Sequence, residues 1–563
     1  MKYIILLILF CSTITLAQNI DNNLGLDLQL DYTSLKAFGP WDDRNYDLFL
    51  EDLDWLSENE DELIEMVPAF YRVQFRKEFP DTPSTGAVQY PRSLLNYFLL
   101  RYSGYLIDGS IYQSVKWDNN HKFFEVDMAK GKSPGELFRQ QIKQQTRALN
   151  GEVLVFTGAE SAVSVSPVDS DIVVAGLNGG FGGQEMLFSS DGGDTWTSSP
   201  DLSGSECCDP TMDWKSDGTF VYNVTLGGNQ VWFYRSDDNG QTWDSLTDLT
   251  PGDDRRELTG PSSSLNDKEY IHVDKHPSSP FKDNIYITWH QSNILQFATS
   301  TDDGNTFSTV SFSSEPRGIG SDIVTGSDGT IFHFWPSTVN SEIRLNKSTN
   351  GGGVFSASTV VASTNDSFDF PIPSMDSRFV FIYVSADMDL TGGTYDGRLY
   401  ASWTDTLAPQ SSTINNHAHI QVAYSDDEGA TWTIRTPHEV ADELTVDRWH
   451  QWLKVDRNGN VNVVFYDTRQ FPDRTGVDFY HSISRDGGDT WTVPNRLTSV
   501  SSPEGSGFQF GDYNGMDFGN SDEGIAIFAD NRAEGGGGSD MDVYVAPLIV
   551  PGDLIYANGF ETP

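Results

Sequence analysis

The run SSDGGDTW, Ser189 to Trp196, decides how the rest of the chain is read. It returns as SDDNGQTW (Ser236 to Trp243), STDDGNTF (Ser300 to Phe307), SDDEGATW (Ser425 to Trp432) and SRDGGDTW (Ser484 to Trp491), and in weakened form as STNGGGVF (Ser348 to Phe355). The shared pattern is S-x-D-x-G-x-T-[WF]. Its Asp (Asp191, Asp238, Asp302, Asp427 or Asp486) can accept backbone N–H bonds across a tight turn, its Gly supplies positive φ, and its aromatic can plug the gap between neighbouring sheets. These residues are read as structural, the pins of hairpins.

Working outward, a turn and a short apolar strand precede each copy: IVVAGLN from Ile172, FVYNVTL from Phe220, IYITWHQ from Ile285, IFHFWPS from Ile331, LYASWTD from Leu399 and VNVVFYDTR from Val461. A seventh, IAIFADNR from Ile525, has no pinned hairpin but is followed by a closing strand at Met541 to Val545. Repeats of this kind indicate a mainly β architecture in which four-stranded units stand radially and bury their inner edges. From about Ala162 to Leu548 the chain thus resembles the Asp-box, or BNR-repeat, β-propellers of sialidase-like proteins. Seven blades are favoured, with six, as in sialidases proper, as the alternative.

In such a fold the pinned hairpins share one rim, and a site belongs on the other, where the far ends of the repeated strands and the entries to each unit's first strand converge. The strand ends are His290, Asp405, Tyr466, Asp467, Arg469, Asp530 and Arg532. The entries are Asp209, Asp267 with Lys268, Arg378, Arg448 with His450, and Asp512 with Tyr513. Glycoside hydrolysis needs two groups flanking the scissile bond, and sialidases use a Tyr nucleophile, so Tyr466 or Tyr513 with Asp209, Asp467 or Asp512 form the catalytic set. His290, Arg448, His450, Arg469 and Arg532 are the substrate-binding set. Convergent Arg448, Arg469 and Arg532 would resemble the arginine cluster by which sialidases hold an acidic sugar. The competing reading is that Asp467-Thr468-Arg469 and Asp530-Asn531-Arg532 each fold back into a local ion pair. Pro316-Arg317-Gly318 is a poor match for the R-I-P element of true sialidases, which precedes the first box.

Fragments CCDP (from Cys207), DKEYIHVD (from Asp267), WHQWLKVD (from Trp449) and GDYNG (from Gly511) resemble exported Asp-box proteins labelled exo-sialidase. That resemblance implies an exo-acting glycoside hydrolase on acidic saccharides. A non-catalytic glycan- or protein-binding propeller, or a lyase using the same face, stands beside it. Cys207 and Cys208 are read either as a vicinal disulfide or as two buried thiols.

The first residues, MKYIILLILFCSTITLAQ, read as a signal peptide cut after Ala17, so the protein is expected to be secreted, periplasmic or held at the cell surface. Asp and Glu number 81 against 36 Lys and Arg, a net charge of −45 that repels nucleic acid and anionic membranes. Residues 18–151 are expected to form an α-helical domain, with helices over Asn45 to Phe79 and Arg92 to Ile107 and a capping box at Ser133-Pro134-Gly135-Glu136. The propeller is placed at 152–548 and a tail at 549–563. No cofactor is required by this reading. Asp387-Met388-Asp389 with Asp396, and Asp540-Met541-Asp542, resemble acidic loops that take Ca²⁺. The pairs His272/His276 and His417/His419 are spaced to share a zinc, although satisfied histidines are the commoner outcome.

Overall fold

The computed structural model describes residues 104–107, 110–114, 123–126 and, with short gaps, 152–549. The chain divides into two units, residues 1–150 with 552–563, and residues 151–551. In the first, the described residues form one antiparallel sheet of Gly104–Ile107, Ser110–Ser114 and Phe123–Val126. This corrects the helix expected to run through Ile107. Tyr105-Leu106-Ile107 and Ser110-Ile111-Tyr112 flank Asp108-Gly109, and alternating β-formers around Asp-Gly favour a hairpin over a helix. The leader, the remaining helices, the capping box and the tail lie outside the described residues.

The second unit is a β-propeller. Five separate blades stand as four- or five-stranded sheets, against the seven favoured from the repeats. Their first strands are Glu206–Trp214, Asn266–Val273, Asp322–Thr325, Val384–Met388 and Arg448–Val455. The first and last repeats are instead joined in one seven-stranded sheet, because the 13-residue strand Val153–Val165 changes partner midway. Its start pairs with Asp542–Ile549 and its end with Val173–Gly179.

Every repeated strand read from the sequence is the second of its own repeat, paired directly with that repeat's first strand. Val221–Gly227, Leu399–Thr406 and Val461–Asp467 are buried along their whole length. Strands covered on both faces lose the polar alternation, which explains their near-continuous apolar runs. The outer strands are short, such as Thr197–Ser198 and Asn495–Arg496, and so leave little edge to pair with other chains.

The Asp-boxes join third to fourth strands and repeat one bonding pattern. Ser300 Oγ donates to Asp302 Oδ1 at 2.8 Å and accepts from Gly304 N at 2.9 Å, while Asp302 accepts from Thr306 N and Oγ1 at 2.8 and 2.7 Å. Asp191, Asp238, Asp427 and Asp486 do the same. The weakened copy keeps only part of it, because Asn350 bonds the amide of Val354, which has no hydroxyl. Each box aromatic reaches the preceding unit: Phe307 packs edge-on against Phe233 and Trp432 against Phe334. Trp196 packs against the cluster that includes Ile525.

Neighbouring first strands are also tied by carboxylates. Asp213 accepts the N–H of Val273 at 2.7 Å, Asp322 that of Ala386 at 2.8 Å, and Asp387 that of Val455 at 2.9 Å. Lys454 serves them as a shared counter-ion. Burial works to lower its pKa, but Asp387, Asp517, Asp322 and Asp213 outweigh burial and raise it.

Candidate functional site

Four first strands carry the same irregularity. Pairing slips between Ala159 and Ala162, Cys208 and Thr211, Asp267 and Tyr270, and Trp449 and Trp452. The residue at each slip is left-handed: Glu160 (φ 50°), Asp209 (φ 57°), Lys268 (φ 47°) and His450 (φ 48°). A bulge of this kind re-aims side chains out of the alternating pleat, and a left-handed residue other than Gly costs roughly 1–3 kcal/mol. Four such bulges at equivalent places bring polar side chains into one cluster. The last unit adds Asp512, Tyr513 and Asn514 after a left-handed Phe510 and Gly511.

The cluster centres on a tyrosine and an aspartate. Tyr513 O–H donates to Asp209 Oδ1 at 3.2 Å. Asp209 is held from behind, its N–H donating to Asn178 Oδ1 at 2.8 Å, while Asn178 Nδ2 donates to Glu160. Lys268 is 1% exposed, with Nζ 3.0 Å from the centroid of the Tyr513 ring and 4.4 Å from that of Tyr270. Among the described residues, Lys268 Nζ, both carboxylate oxygens of Glu269, the Tyr270 hydroxyl and His290 Nδ1 are buried with no hydrogen-bond partner. A small cleft, partly open to solvent and with room for about one water, adjoins Tyr270 and Tyr513 and is lined by Tyr270, Tyr383, His450, Trp452, Asp512 and Tyr513 among others.

Burial sets the protonation of the cluster. It pushes Asp267 up to about 7, helped by the charge of Asp209. It carries Glu269 well above the usual carboxylate range, again with Asp209 adding to the shift. It pushes His290 down to about 4, so this ring is neutral near pH 7. Lys268 is lowered by burial against the pull of Asp209 and Glu269, and Tyr513 is raised by burial and then by Asp209. Groups pushed in opposite directions in one cluster can act as acid and base.

The cluster gathers seven of the residues expected from the sequence: Asp209, Asp267, Lys268, His290, His450, Asp512 and Tyr513. It leaves out the others. Tyr466 is buried in an aromatic stack with Trp449, Phe479 and Phe510, and its hydroxyl donates to Ala529 O at 2.7 Å. Asp467, fully buried, accepts from Arg448 Nε at 2.6 Å and from Arg469 Nη2 at 2.6 Å, and Arg448 also grips Asp442 at 2.8 Å. Arg532 holds Glu152 at 2.6 Å and pairs with Asp530.

The expected arginine clamp is therefore replaced by loop ties. The cause is local: the N–H groups of Arg469 and Arg532 donate to the Asp two residues earlier at 2.6 and 2.7 Å, and each guanidinium folds onto that same Asp.

Cys207 and Cys208 form a disulfide in the strand that carries Asp209. The histidine pairs do not converge. His272 bonds Thr325 Oγ1 at 2.8 Å, His276 bonds Ser278, His417 faces Asp447 at 3.0 Å, and His419 faces Glu443 at 3.5 Å. Asp387 ties blades, while Asp389 and Asp396 cap turns of their own loop. Arg378 and Asp540 lie outside the described residues. Among the described residues no three metal-ligating side chains are placed to share an ion, and no helix is long and apolar enough to cross a membrane.

Glu160, Glu269, Tyr270 and Tyr383 escaped the sequence reading. The signal for the first two is a polar pair interrupting an apolar first strand: Glu160-Ser161 and Lys268-Glu269 match Asp209-Pro210 and His450-Gln451 once the units are aligned.

One protein family matches part of the chain, a domain of unknown function (DUF8300), over residues 31–116. No curated protein matches. Several solved structures are similar to this chain. The NanB sialidase of Streptococcus pneumoniae shares 12% identity over 56% of this chain and 67% of its own, with a TM-score of 0.39. The BP39L lectin of Burkholderia pseudomallei shares 11% over 70% and 97%, with a TM-score of 0.45. A leech intramolecular trans-sialidase shares 11% over 61% and 71%, with a TM-score of 0.39.

Proposed function

We propose that the chain is an exported glycan-active propeller, an exo-acting glycoside hydrolase whose chemistry lies where the bulged first strands converge. The observation that carries this reading is the buried pair of Tyr513 and Asp209, with the hydroxyl 3.2 Å from the carboxylate at a cleft wall. In this reading Tyr513 Oη attacks the anomeric carbon as its proton passes to Asp209, and the departing oxygen takes a proton from a neighbouring acid. Asp267, pushed up to about 7, is suited to that donation near neutral pH. Water then cleaves the tyrosyl–sugar bond.

The acidic-saccharide class was expected from three arginines that instead tie loops, so neutral glycans belong in any screen. The arginine loop ties favour a second reading, a propeller that binds glycans without cleaving them.

The propeller itself is read as seven blades closed by a shared strand. Three observations support this: the partner change within Val153–Val165, the packing of Trp196 near Ile525, and the recurrence between last and first repeats of the carboxylate tie seen between other neighbours.

The test is to incubate the purified chain with sialylated, uronate-bearing and neutral glycans, following reducing ends, released monosaccharide and ultraviolet absorbance. New reducing ends without absorbance growth support the hydrolase. Absorbance growth identifies a lyase, and retention on a glycan array without turnover identifies the binding module.

A further inference from the structure

Lys268 is a buried lysine that the proposed chemistry does not use. A lysine serving only as a structural counter-ion is expected to donate its N–H groups to carboxylates, as Lys215 does to Asp303 at 2.8 Å. Lys268 Nζ makes no hydrogen bond among the described residues and lies against aromatic faces, closest to Tyr513. Its backbone is left-handed, so the strand is bent to put it there. The cost of burying an unsatisfied ammonium, several kcal/mol in general, is sustained at this place beside the Tyr513–Asp209 pair.

We infer that Lys268 is a positioning residue that stabilises the phenolate of Tyr513 when its proton moves to Asp209. The inference rests on the Tyr513–Asp209 reading above and adds to it the source of the counter-charge. An ammonium over a phenol ring is drawn to the ring quadrupole, and far more strongly to the same ring once it carries negative charge. Burial and the charges of Asp209, Glu160 and Glu269 all oppose ionisation of Tyr513. Asp209 accepts its hydroxyl hydrogen bond, Asp512 lines the same cleft, and Glu160 and Glu269 add to the field. Asp267, His290 and His450 lie on the adjoining strands, and Tyr270 and Tyr383 on the cleft wall.

Replacing Tyr513 by 3,5-difluorotyrosine, which ionises at lower pH, allows fluorine NMR to follow this one hydroxyl in the full chain without any substrate. The experiment compares Lys268 with Lys268→Met and Lys268→Arg. The expected result is that the midpoint rises by about one pH unit or more in Lys268→Met, roughly a tenfold loss of acidity, and returns toward the starting value in Lys268→Arg. An unchanged midpoint in a folded Lys268→Met protein overturns the inference. If Lys268→Met does not fold, Lys268→Gln is read the same way. If neither folds while Lys268→Arg does, the ammonium is a structural counter-ion and the inference also falls. Because the readout is protonation, it is separate from whether any glycan is cleaved.

Discussion

Asp517, in the first strand of the last repeat, accepts the backbone N–H of Val165, in the first repeat, at 2.8 Å. The same tie joins Asp213 to Val273 and Asp387 to Val455 between consecutive repeats. Segments 352 residues apart are thereby joined like consecutive repeats.

If that tie helps to close the ring, Asp517→Ala strands a buried N–H and lowers stability by about 1–3 kcal/mol, as Asp213→Ala does within the chain. Denaturant midpoints of the two variants check this. Asp517→Ala should behave like its internal counterpart and not like a neutral change at a frayed end.

The loop ties make a second prediction. The Arg532 side chain is 10% exposed and engages Glu152 and Asp530, both largely hidden from solvent. Removing the cation alone by Arg532→Met leaves two carboxylates unpaired, and destabilisation of about 3–5 kcal/mol is expected. Adding Glu152→Gln should recover part of it. Thermal melting of the single and double variants measures the recovery.

Most of the architecture was legible because it is repeated. A second strand covered on both faces has to be apolar along its length, and an Asp-box bonds only within itself, so both leave marks in one short window. The site was half legible. Asp209 and Tyr513 stand at strand entries that alignment of the repeats exposes. Tyr466 occupies a matching place at a strand end, yet packs inward. Arg469 and Arg532 were misleading because an Asp two residues earlier captures each one, a choice between local and distant partners that sequence spacing does not decide. The merging of the first and last repeats depends on one long strand serving two sheets, which no local pattern records.

Asp267 gives a pH prediction. Its pKa rises on folding from the ordinary aspartate value to about 7, so its contribution to stability is fully present below about 4 and is lost as pH rises through about 7. His290 acts oppositely, with stability present above about 6.5 and lost as pH falls through about 4. Between pH 6.5 and 8 the carboxyl effect therefore dominates this pair. Asp267→Asn should be more stable than the parent at pH 8, on the order of 1–4 kcal/mol, with the gap closing toward pH 4. Urea unfolding across that range measures it.

The hairpin pins should matter for stability and not for chemistry. Asp302→Ala removes the acceptor for the amide and hydroxyl of Thr306, at a cost of about 1–2 kcal/mol. Activity per folded molecule should be unchanged, which a melting curve and an assay on the same sample establish together.

The central claim, that Tyr513 and Asp209 form the reactive pair, is tested most directly by kcat/KM on whichever glycan the screen identifies, measured for the parent, Tyr513→Phe and Asp209→Asn. The account predicts that each variant stays folded and loses about 10²–10⁴-fold. Two folded variants that turn over substrate at the parental rate would contradict it.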